Sequence, residues 1–445
     1  MSQFTWMAFL AAAFLGFAFF FFAKRHFDFL AIAYIGAMFY FAPLFWGKVL
    51  QLSPELTRTV QPAIYLIGTA YVLGLILASV LSQRFMAGDA PPDRSPRFLS
   101  GWYLGLALVG LAGSFISSHG AIIDADKAQA LKQVGYFYVL FEVAASLACV
   151  SAAIERRWWS LTAGCLLLLI DLLVGFRPFV VLTSISVALV LLMRHGRIRL
   201  YLKAPTYGMG LLALLAAMLL VHSVRLTIFD KIAELEGVPL SERATRTWEM
   251  RGDTIQFSKA WEQSSSWASL PLRLFEQSEP FTIQATLVGV IQTNLSCSSL
   301  NVFKSIFLLL PPSMARFVGN NAFPPTFYDE YQPILYPNIT YGTGGNIWAE
   351  MLCRFGYVGV AFFGLLLILT LVGLHRLLVK ASPSFVAPIA FGGAVIAFYI
   401  HRNDLHYTLV MLRQVGIVFA VTYALSTLSI RMRRPLKRTA TEIGS

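Results

Sequence analysis

Charged residues are scarce in this 445-residue chain, at 13%, and acidic ones are the scarcer kind, with 23 Asp and Glu against 35 Lys and Arg. Together with 57% hydrophobic residues, this excludes a soluble globular domain. The basic residues flank apolar runs instead of forming one patch, which excludes nucleic acid as a partner. The four cysteines, Cys149, Cys165, Cys297 and Cys353, lack metal-ligand spacing. The composition therefore predicts a membrane protein with no metal site and no cofactor.

The chain also lacks the motifs of several common enzyme classes. No Ser–His–Asp order and no HExxH motif occurs, and the glycine-rich segment 341–345 lacks the Lys-Ser/Thr ending of a phosphate-binding loop. Asp124 and Asp126 have the D-x-D form used for metal–diphosphate binding, but we interpret them as two solvated acids. Cys297 and Cys353 remain candidates for a disulfide if both face an oxidising compartment.

Apolar runs of about 17 to 22 residues recur along the chain, and about 20 helical residues cross a ~30 Å hydrocarbon core. Two semi-apolar stretches, 281–295 and 300–310, are too short or too broken to span, so we expect them at the interface or re-entering the membrane. The eleven predicted spans are 4–23, 28–46, 61–82, 99–118, 134–153, 158–175, 177–193, 206–225, 346–374, 384–401 and 408–428. The predicted fold class is an all-α polytopic membrane protein with four parts: a bundle over 1–225, an insert over 226–345, three further spans over 346–430 and a basic tail over 431–445.

Basic residues concentrate on alternate connections, which the positive-inside rule predicts to be cytoplasmic. The basic connections carry Lys24, Arg25, Arg84, Arg94, Arg97, Arg156, Arg157, Arg194, Arg197, Arg199, Lys203, Arg376, Lys380 and the basic residues of 431–438. The short opposite connections carry Lys48, Arg58, Lys127, Lys132, Arg177 and Arg402. We therefore expect the amino terminus and the long insert to face outward and the carboxyl terminus to face inward.

The insert 226–345 is polar, aromatic and charged, unlike the rest of the chain. A protein that only spans a bilayer does not need so long a connection, so we expect the insert to cover a cavity in which a substrate is bound. Trp248 and Tyr341 are its candidate sugar-binding residues, although aromatic residues near a membrane interface are commonly belt residues.

Arginines on the outward side suit an anionic substrate. A guanidinium matches phosphate oxygens and stays protonated, and a lipid-linked diphosphate places its phosphates at this depth. Arg177 and Arg402 lie on very short outward turns. If one helix continues through both, Arg402 and Arg413 share a stripe with about 16 Å between them. Arg413 then faces a polar interior, either as part of the anion site or in a structural ion pair with Glu142 or Asp171.

Four short pieces of the chain resemble the bacterial O-antigen polymerase (Wzy) family and its exopolysaccharide relatives. They are Asp171-Leu-Leu-Val-Gly-Phe-Arg177, Gly344-Gly-Asn-Ile-Trp-Ala-Glu350, Arg354-Phe-Gly356 and His401-Arg402-Asn-Asp404, together with the single large outward insert. The O-antigen ligases share the same general plan.

The resemblance implies a GT-C-like glycosyltransferase at the periplasmic face of a bacterial inner membrane. It implies transfer of a glycan from undecaprenyl diphosphate to the sugar hydroxyl of another lipid-linked repeat unit, without a metal, beside a flippase and a chain-length regulator. Arg177 and Arg402 match the family's outward arginines. Arg246, Arg273, Arg354 and Arg413 are further candidates for binding the diphosphate, and the candidate bases are Glu276, Glu279 and His401.

Two other functions stay open at this point. A ligase that moves finished glycan onto lipid A–core has the same general plan. A flippase or transporter is the alternative from another class, although transporters of this size usually show internal repeats, which this chain lacks.

Overall fold

The computed structural model describes residues 2–82, 98–117, 127–174, 177–203, 278–310, 325–337 and 344–442. Seven helices of this part are long and apolar enough to cross a membrane: Gln3–Phe22, Pro62–Ser82, Leu99–Ser117, Gly135–Glu155, Ile347–Lys380, Pro383–His401 and Leu405–Ser429. Three shorter apolar helices coincide with predicted spans two, six and seven: Phe29–Tyr40, Trp158–Leu172 and Pro178–Met193. The prediction of an all-α polytopic membrane protein is confirmed, whereas the count of eleven and the GT-C-like plan stay predictions. Predicted span eight, 206–225, lies outside the described residues.

Eight helices and two short strands come before the insert within the described residues. They are α1 (Ser2–Phe17, continued by the π-helical turn Ala18–Phe22), β1 (Arg25–His26), α2 (Phe29–Tyr40), α3 (Ala42–Trp46), α4 (Pro62–Ser82), α5 (Leu99–Ser117), α6 (Lys127–Glu155), α7 (Trp158–Val174), α8 (Pro178–Met193) and β2 (Arg197–Ile198). Local sequence sets several boundaries. The Asp28 carboxylate accepts a hydrogen bond from the Ala31 amide and so caps α2, and Pro178 occupies the first turn of α8. Gly135, at a φ of 57°, interrupts α6.

Six helices follow within the described residues: α9 (Glu279–Thr293), α10 (Leu300–Ile306, continued by the 3-10 turn Phe307–Leu309), α11 (Phe327–Leu335), α12 (Ile347–Lys380), α13 (Pro383–Ala397, followed by the 3-10 turn Tyr399–His401) and α14 (Leu405–Glu442). Gly356, at a φ of 66°, divides α12 into a short first segment and a long apolar span.

The connections that carry most of the basic residues lie at one end of the bundle, which we call the inner end. β1 pairs with β2 in antiparallel register, which joins the α1–α2 connection to the chain after α8. The Glu155 carboxylate at the end of α6 accepts hydrogen bonds from the Leu99 and Ser100 amides at the start of α5. Alternate connections therefore share one end, in the order that the charge pattern predicts. Which compartment this end faces stays a prediction.

The opposite end, here the outer end, contains the described part of the insert. Helix α9 is buried from Pro280 to Val290, so the stretch predicted to be interfacial or re-entrant is enclosed by protein. The Gln284 side chain donates to the Tyr40 carbonyl, and the Asn346 side chain donates to the Ile283 carbonyl. These contacts satisfy polar groups inside the bundle and attach α9 to α2 and α12.

Helix α10 has its polar and apolar faces reversed relative to a helix of a soluble protein. Asn301 and Ser305 are buried, whereas Leu300, Phe303 and Ile306 are more than half exposed. An outward apolar face beside membrane-spanning helices suits contact with lipid, and whether α10 lies at the interface or re-enters the membrane stays a prediction. A disulfide between Cys297 and Cys353 joins the chain before α10 to the first segment of α12.

Candidate functional site

Three chain segments meet at the outer end, and we call this place the junction. They are the start of α9, the segment 344–354 that leads into α12, and the turn 399–404 between α13 and α14. Gly345 allows two of them to approach closely, because a Cβ at this position would lie 2.5 Å from the Asp404 amide nitrogen. Gly344 has a φ of 77°, and its carbonyl accepts a hydrogen bond of 2.6 Å from the Tyr331 hydroxyl. Two of the four pieces that carry the family resemblance therefore lie against each other.

An ion pair at the junction brings together two residues that the sequence singled out. Nε of Arg402 donates to Oε1 of Glu279, and Nη1 of Arg402 donates to the Tyr399 hydroxyl. The Arg402 and Glu279 side chains are 30% and 46% exposed, so the pair lies at the surface of the junction. Glu279 is in the first turn of α9, where the helix dipole stabilises a carboxylate. A positive group that an anion can approach is thus held in place from two sides.

Arg354 was a predicted diphosphate ligand, but its donors are used inside the protein. Nε donates to Glu350 at 3.0 Å, while Nη1 contacts both Glu330 oxygens at 3.2 Å and donates to the Ser298 carbonyl. The Arg354 side chain is 1% exposed. A guanidinium with two carboxylates and a carbonyl around it is a structural connection between the insert and α12, so this position does not fit a role as phosphate ligand.

Asp404 and Glu350 attach the turn 399–404 to the start of α12. The buried Asp404 carboxylate accepts a hydrogen bond of 2.8 Å from the Tyr407 amide in the first turn of α14. Burial raises the pKa of Asp404 above its usual value. The second oxygen of Glu350 accepts from the Leu405 amide at 2.8 Å. The position of Arg402 is therefore fixed by buried hydrogen bonds on the carboxyl-terminal side of its turn.

His401 was a predicted base, and its surroundings argue against that role. The side chain is fully buried, with its ring centroid 5.3 Å from that of Tyr71. The indole N–H of Trp348 donates to Nδ1 at 3.0 Å. Because an indole nitrogen can only donate, neutral His401 carries its proton on Nε2, and its one lone pair is already used. His401 is accordingly well placed to fix the turn and poorly placed to accept a proton.

Arg413 and Arg177 are on other elements than this ion pair, in α14 and at the start of α8. Helix α14 begins at Leu405, so Arg402 is in the preceding turn and the predicted helical stripe shared with Arg413 is wrong. Nη1 of Arg413 is buried and has no hydrogen-bond partner among the described residues, where Arg413 also forms no salt bridge with Glu142 or Asp171. Arg177 is exposed at the amino-terminal end of α8 and is not among the contacts of Arg402.

The remaining candidates lie outside the part of the chain that the structure describes. Arg246, Trp248, Arg273, Glu276 and Tyr341 lie outside the described residues, as do Asp124 and Asp126. Within the described ranges, no group of three or more His, Cys, Asp or Glu side chains is arranged to hold a metal ion.

Glu330, Glu350, Tyr399 and Trp348 support the junction but were not predicted as site residues, although Trp348 and Glu350 belong to the piece 344–350 that carries the resemblance. Glu350 and Arg354 are four residues apart on one helix face, a spacing that indicates an intrahelical ion pair. Glu330 gives no comparable signal, because its partner is on another helix.

Comparison of the chain with protein-family models, with curated proteins and with solved structures finds no match.

Proposed function

We propose that this protein is a membrane glycosyltransferase that polymerises lipid-linked repeat units of a bacterial polysaccharide at the outer face of the inner membrane. The observation that carries the proposal is the Arg402–Glu279 pair at the outer end, partly exposed and supported by Tyr399. A lipid diphosphate lying in the outer leaflet has its phosphates near this depth, with its isoprenoid chain among the bundle helices. The sequence resemblance agrees with this interpretation.

The pair suits the handling of a diphosphate leaving group. A donor diphosphate carries two negative charges and several acceptor oxygens that make charge-assisted hydrogen bonds with guanidinium, so it competes with the single carboxylate of Glu279 for Arg402. Arg402 then stabilises the charge that develops as the bond between the anomeric carbon and the phosphate oxygen breaks. The electron pair of that bond stays on undecaprenyl diphosphate.

Displacement ends the contact of Glu279 with Arg402 and gives this carboxylate a second role. In the proposed reaction the acceptor sugar hydroxyl attacks the anomeric carbon, a new glycosidic bond forms, and the hydroxyl proton passes to the Glu279 carboxylate. Among the described candidates we prefer Glu279 to His401 as the base, because Glu279 is 46% exposed and His401 is fully buried with its lone pair engaged.

The proposal is tested by three variants of the pair, Arg402→Ala, Arg402→Lys and Glu279→Gln. Arg58→Gln is the matched control, because Arg58 is an exposed arginine at the same end that hydrogen-bonds Gln51. We expect every protein to accumulate in the membrane. Cells with Arg402→Ala and Glu279→Gln should make lipopolysaccharide with one repeat unit, Arg402→Lys should give a shortened ladder, and Arg58→Gln a normal one.

The lipid-linked pool distinguishes the competing functions. Long polymer retained on undecaprenyl diphosphate in the Arg402→Ala strain would indicate a ligase instead of a polymerase. Purified protein in detergent should elongate lipid-linked repeat units without any compartment; absence of elongation, with transport retained in vesicles, would indicate a transporter. Normal ladders from both Arg402→Ala and Glu279→Gln would remove the pair from the mechanism.

A further inference from the structure

A buried arginine at the inner end, far along the bundle from the junction, uses only part of its guanidinium. Arg25 is 4% exposed, and its Nη2 donates to Asp28 at 2.6 Å and to the Ser79 hydroxyl at 2.8 Å. Its Nε and Nη1 are buried and have no hydrogen-bond partner in the part of the chain that the structure describes. Buried donors of charged groups are almost always paired in folded proteins, so two such nitrogens on one side chain indicate a place where an anionic group binds.

Arg25 lines a cleft where the connection after α1 meets the segment after α8. The space between its walls, counted together with the solvent at its mouth, is about 170 Å³, and the walls are Phe20, Arg25, His26, Phe27, Ala31, Ile198 and Leu200. The guanidinium carbon lies 4.5 Å from the centroid of the Phe20 ring, which fixes its plane. No part of the cleft now admits a water molecule, so a bound group enters by displacing the half-buried side chains of His26 or Leu200.

The charges around the cleft select for an anion. Among the described residues, the acidic group in contact with Arg25 is Asp28, which also caps α2. Arg197 lies on the other side, with its Nε 3.4 Å from Nε2 of His26. Burial lowers the pKa of His26, and the charge of Arg197 lowers it further, as expected in a desolvated place with surplus positive charge.

We propose that Arg25 forms a binding site for a phosphate group, supplied either by the headgroup of an anionic phospholipid or by a free phosphate compound. Guanidinium N–H groups match phosphate oxygens, and such a group reaches Arg25 once the side chains of His26 or Leu200 move aside. The inner end is also the end predicted to face the cytoplasm, where anionic lipids attract basic segments. A phosphate bound here joins the two connections that β1 and β2 pair. The site is independent of the glycosyltransferase proposal.

The test uses purified full-length protein and two variants that affect the cleft differently. Arg25→Lys retains one positive group for Asp28 and Ser79 but removes the two unpaired nitrogens. Leu200→Trp places a larger side chain where a bound group would enter and changes no charge. Arg199→Gln is the control, because Arg199 is exposed in the same segment and does not line the cleft.

Binding is measured in two arms. Native mass spectrometry with phosphatidylglycerol, and with phosphatidylcholine as the neutral reference, tests the lipid headgroup. The thermal unfolding midpoint in sodium phosphate, against sodium chloride of equal ionic strength, tests the free anion. We expect a preference for phosphatidylglycerol or a rise of the midpoint in phosphate, with about tenfold weaker binding for Arg25→Lys and Leu200→Trp, as for the loss of one charge-assisted hydrogen bond. Arg199→Gln should bind as the wild type does.

Each outcome decides the proposal. Loss confined to the lipid arm assigns the site to a headgroup, and loss confined to the phosphate arm assigns it to a free phosphate compound. Binding in neither arm overturns the proposal, as does wild-type binding by both cleft variants or equal loss with Arg199→Gln. If Arg25→Lys does not fold, Leu200→Trp alone distinguishes these outcomes.

Discussion

The bond between Cys297 and Cys353 tests the predicted orientation, because a disulfide forms and persists in an oxidising compartment. It closes a loop with a sequence separation of 56 residues, from the end of α9 through the insert to the first segment of α12. Restricting a loop of this length stabilises the folded chain by about 4 kcal/mol in the chain-entropy treatment. We therefore expect Cys353→Ser to lower the thermal unfolding midpoint by several degrees.

The orientation is measured by counting reactive thiols in protein taken directly from cells. A Cys149→Ser, Cys165→Ser background removes the two free cysteines of the bundle. Denatured protein is treated with a maleimide–polyethylene glycol reagent with or without prior reduction and separated on a gel. We expect no mass shift before reduction and a shift by two adducts after it.

The control is the same protein made in a strain without the periplasmic thiol oxidase, in which labelling should appear before reduction. Two free thiols in protein from the normal strain would refute the reasoning. The outer end would then not face an oxidising compartment, and the proposed reaction would lose its location.

The remaining predictions concern the hydrogen bonds and packing of the junction. Glu350→Gln leaves the buried Arg354 with one carboxylate fewer, which costs about 3–5 kcal/mol of folding stability for a buried pair. Glu279→Gln, at a surface pair, costs no more than about 1 kcal/mol. Thermal unfolding in detergent compares the two variants, and equal losses of stability would contradict the burial argument. Gly345→Ala should prevent the junction from closing and abolish polymerisation, while Gly373→Ala, at an exposed position of α12 with no described atom within 4 Å of the added Cβ, should be normal in the ladder assay. Burial raises the folded-state pKa of Asp404, so the contribution of this group to stability is present below the unfolded pKa of about 3.9 and is lost as pH rises through the folded pKa. Asn also caps helices, so Asp404→Asn should keep the cap of α14 and remove this part of the pH dependence of the unfolding midpoint. Identical pH profiles of the variant and the wild type would contradict this prediction.

Sequence reasoning located the membrane helices because length and apolarity alone decide whether a segment can cross a bilayer. Span three, predicted over 61–82, is helix α4 at Pro62–Ser82. The prediction that alternate connections lie at the same end of the bundle also followed, because consecutive spans cross a membrane in opposite directions.

The junction was only partly predictable. Arg402 and Glu279 were each chosen for their charge and outward position, but they are 123 residues apart, and no local pattern pairs them. Arg354 and His401 were chosen by the same reasoning and lie inside the protein, because a single sequence does not show which polar groups find buried partners. The hydrogen bond from Trp348 to His401 is decided by packing between α12 and the turn after α13.

The break at Gly356 divides α12 into a short segment that is joined to the insert and a long apolar span that is not. Cys353 and Arg354, which join the chain to the insert through a disulfide and an ion pair, lie just before this glycine, and a Cβ added to Gly356 would have no described neighbouring atom within 4 Å. We therefore expect tilting of the long apolar span to bend the chain at Gly356 instead of displacing the segment that is joined to the insert. We expect the first segment of α12 to move as one body with the insert, so that thickness changes in the surrounding bilayer leave the geometry around Arg402 undisturbed.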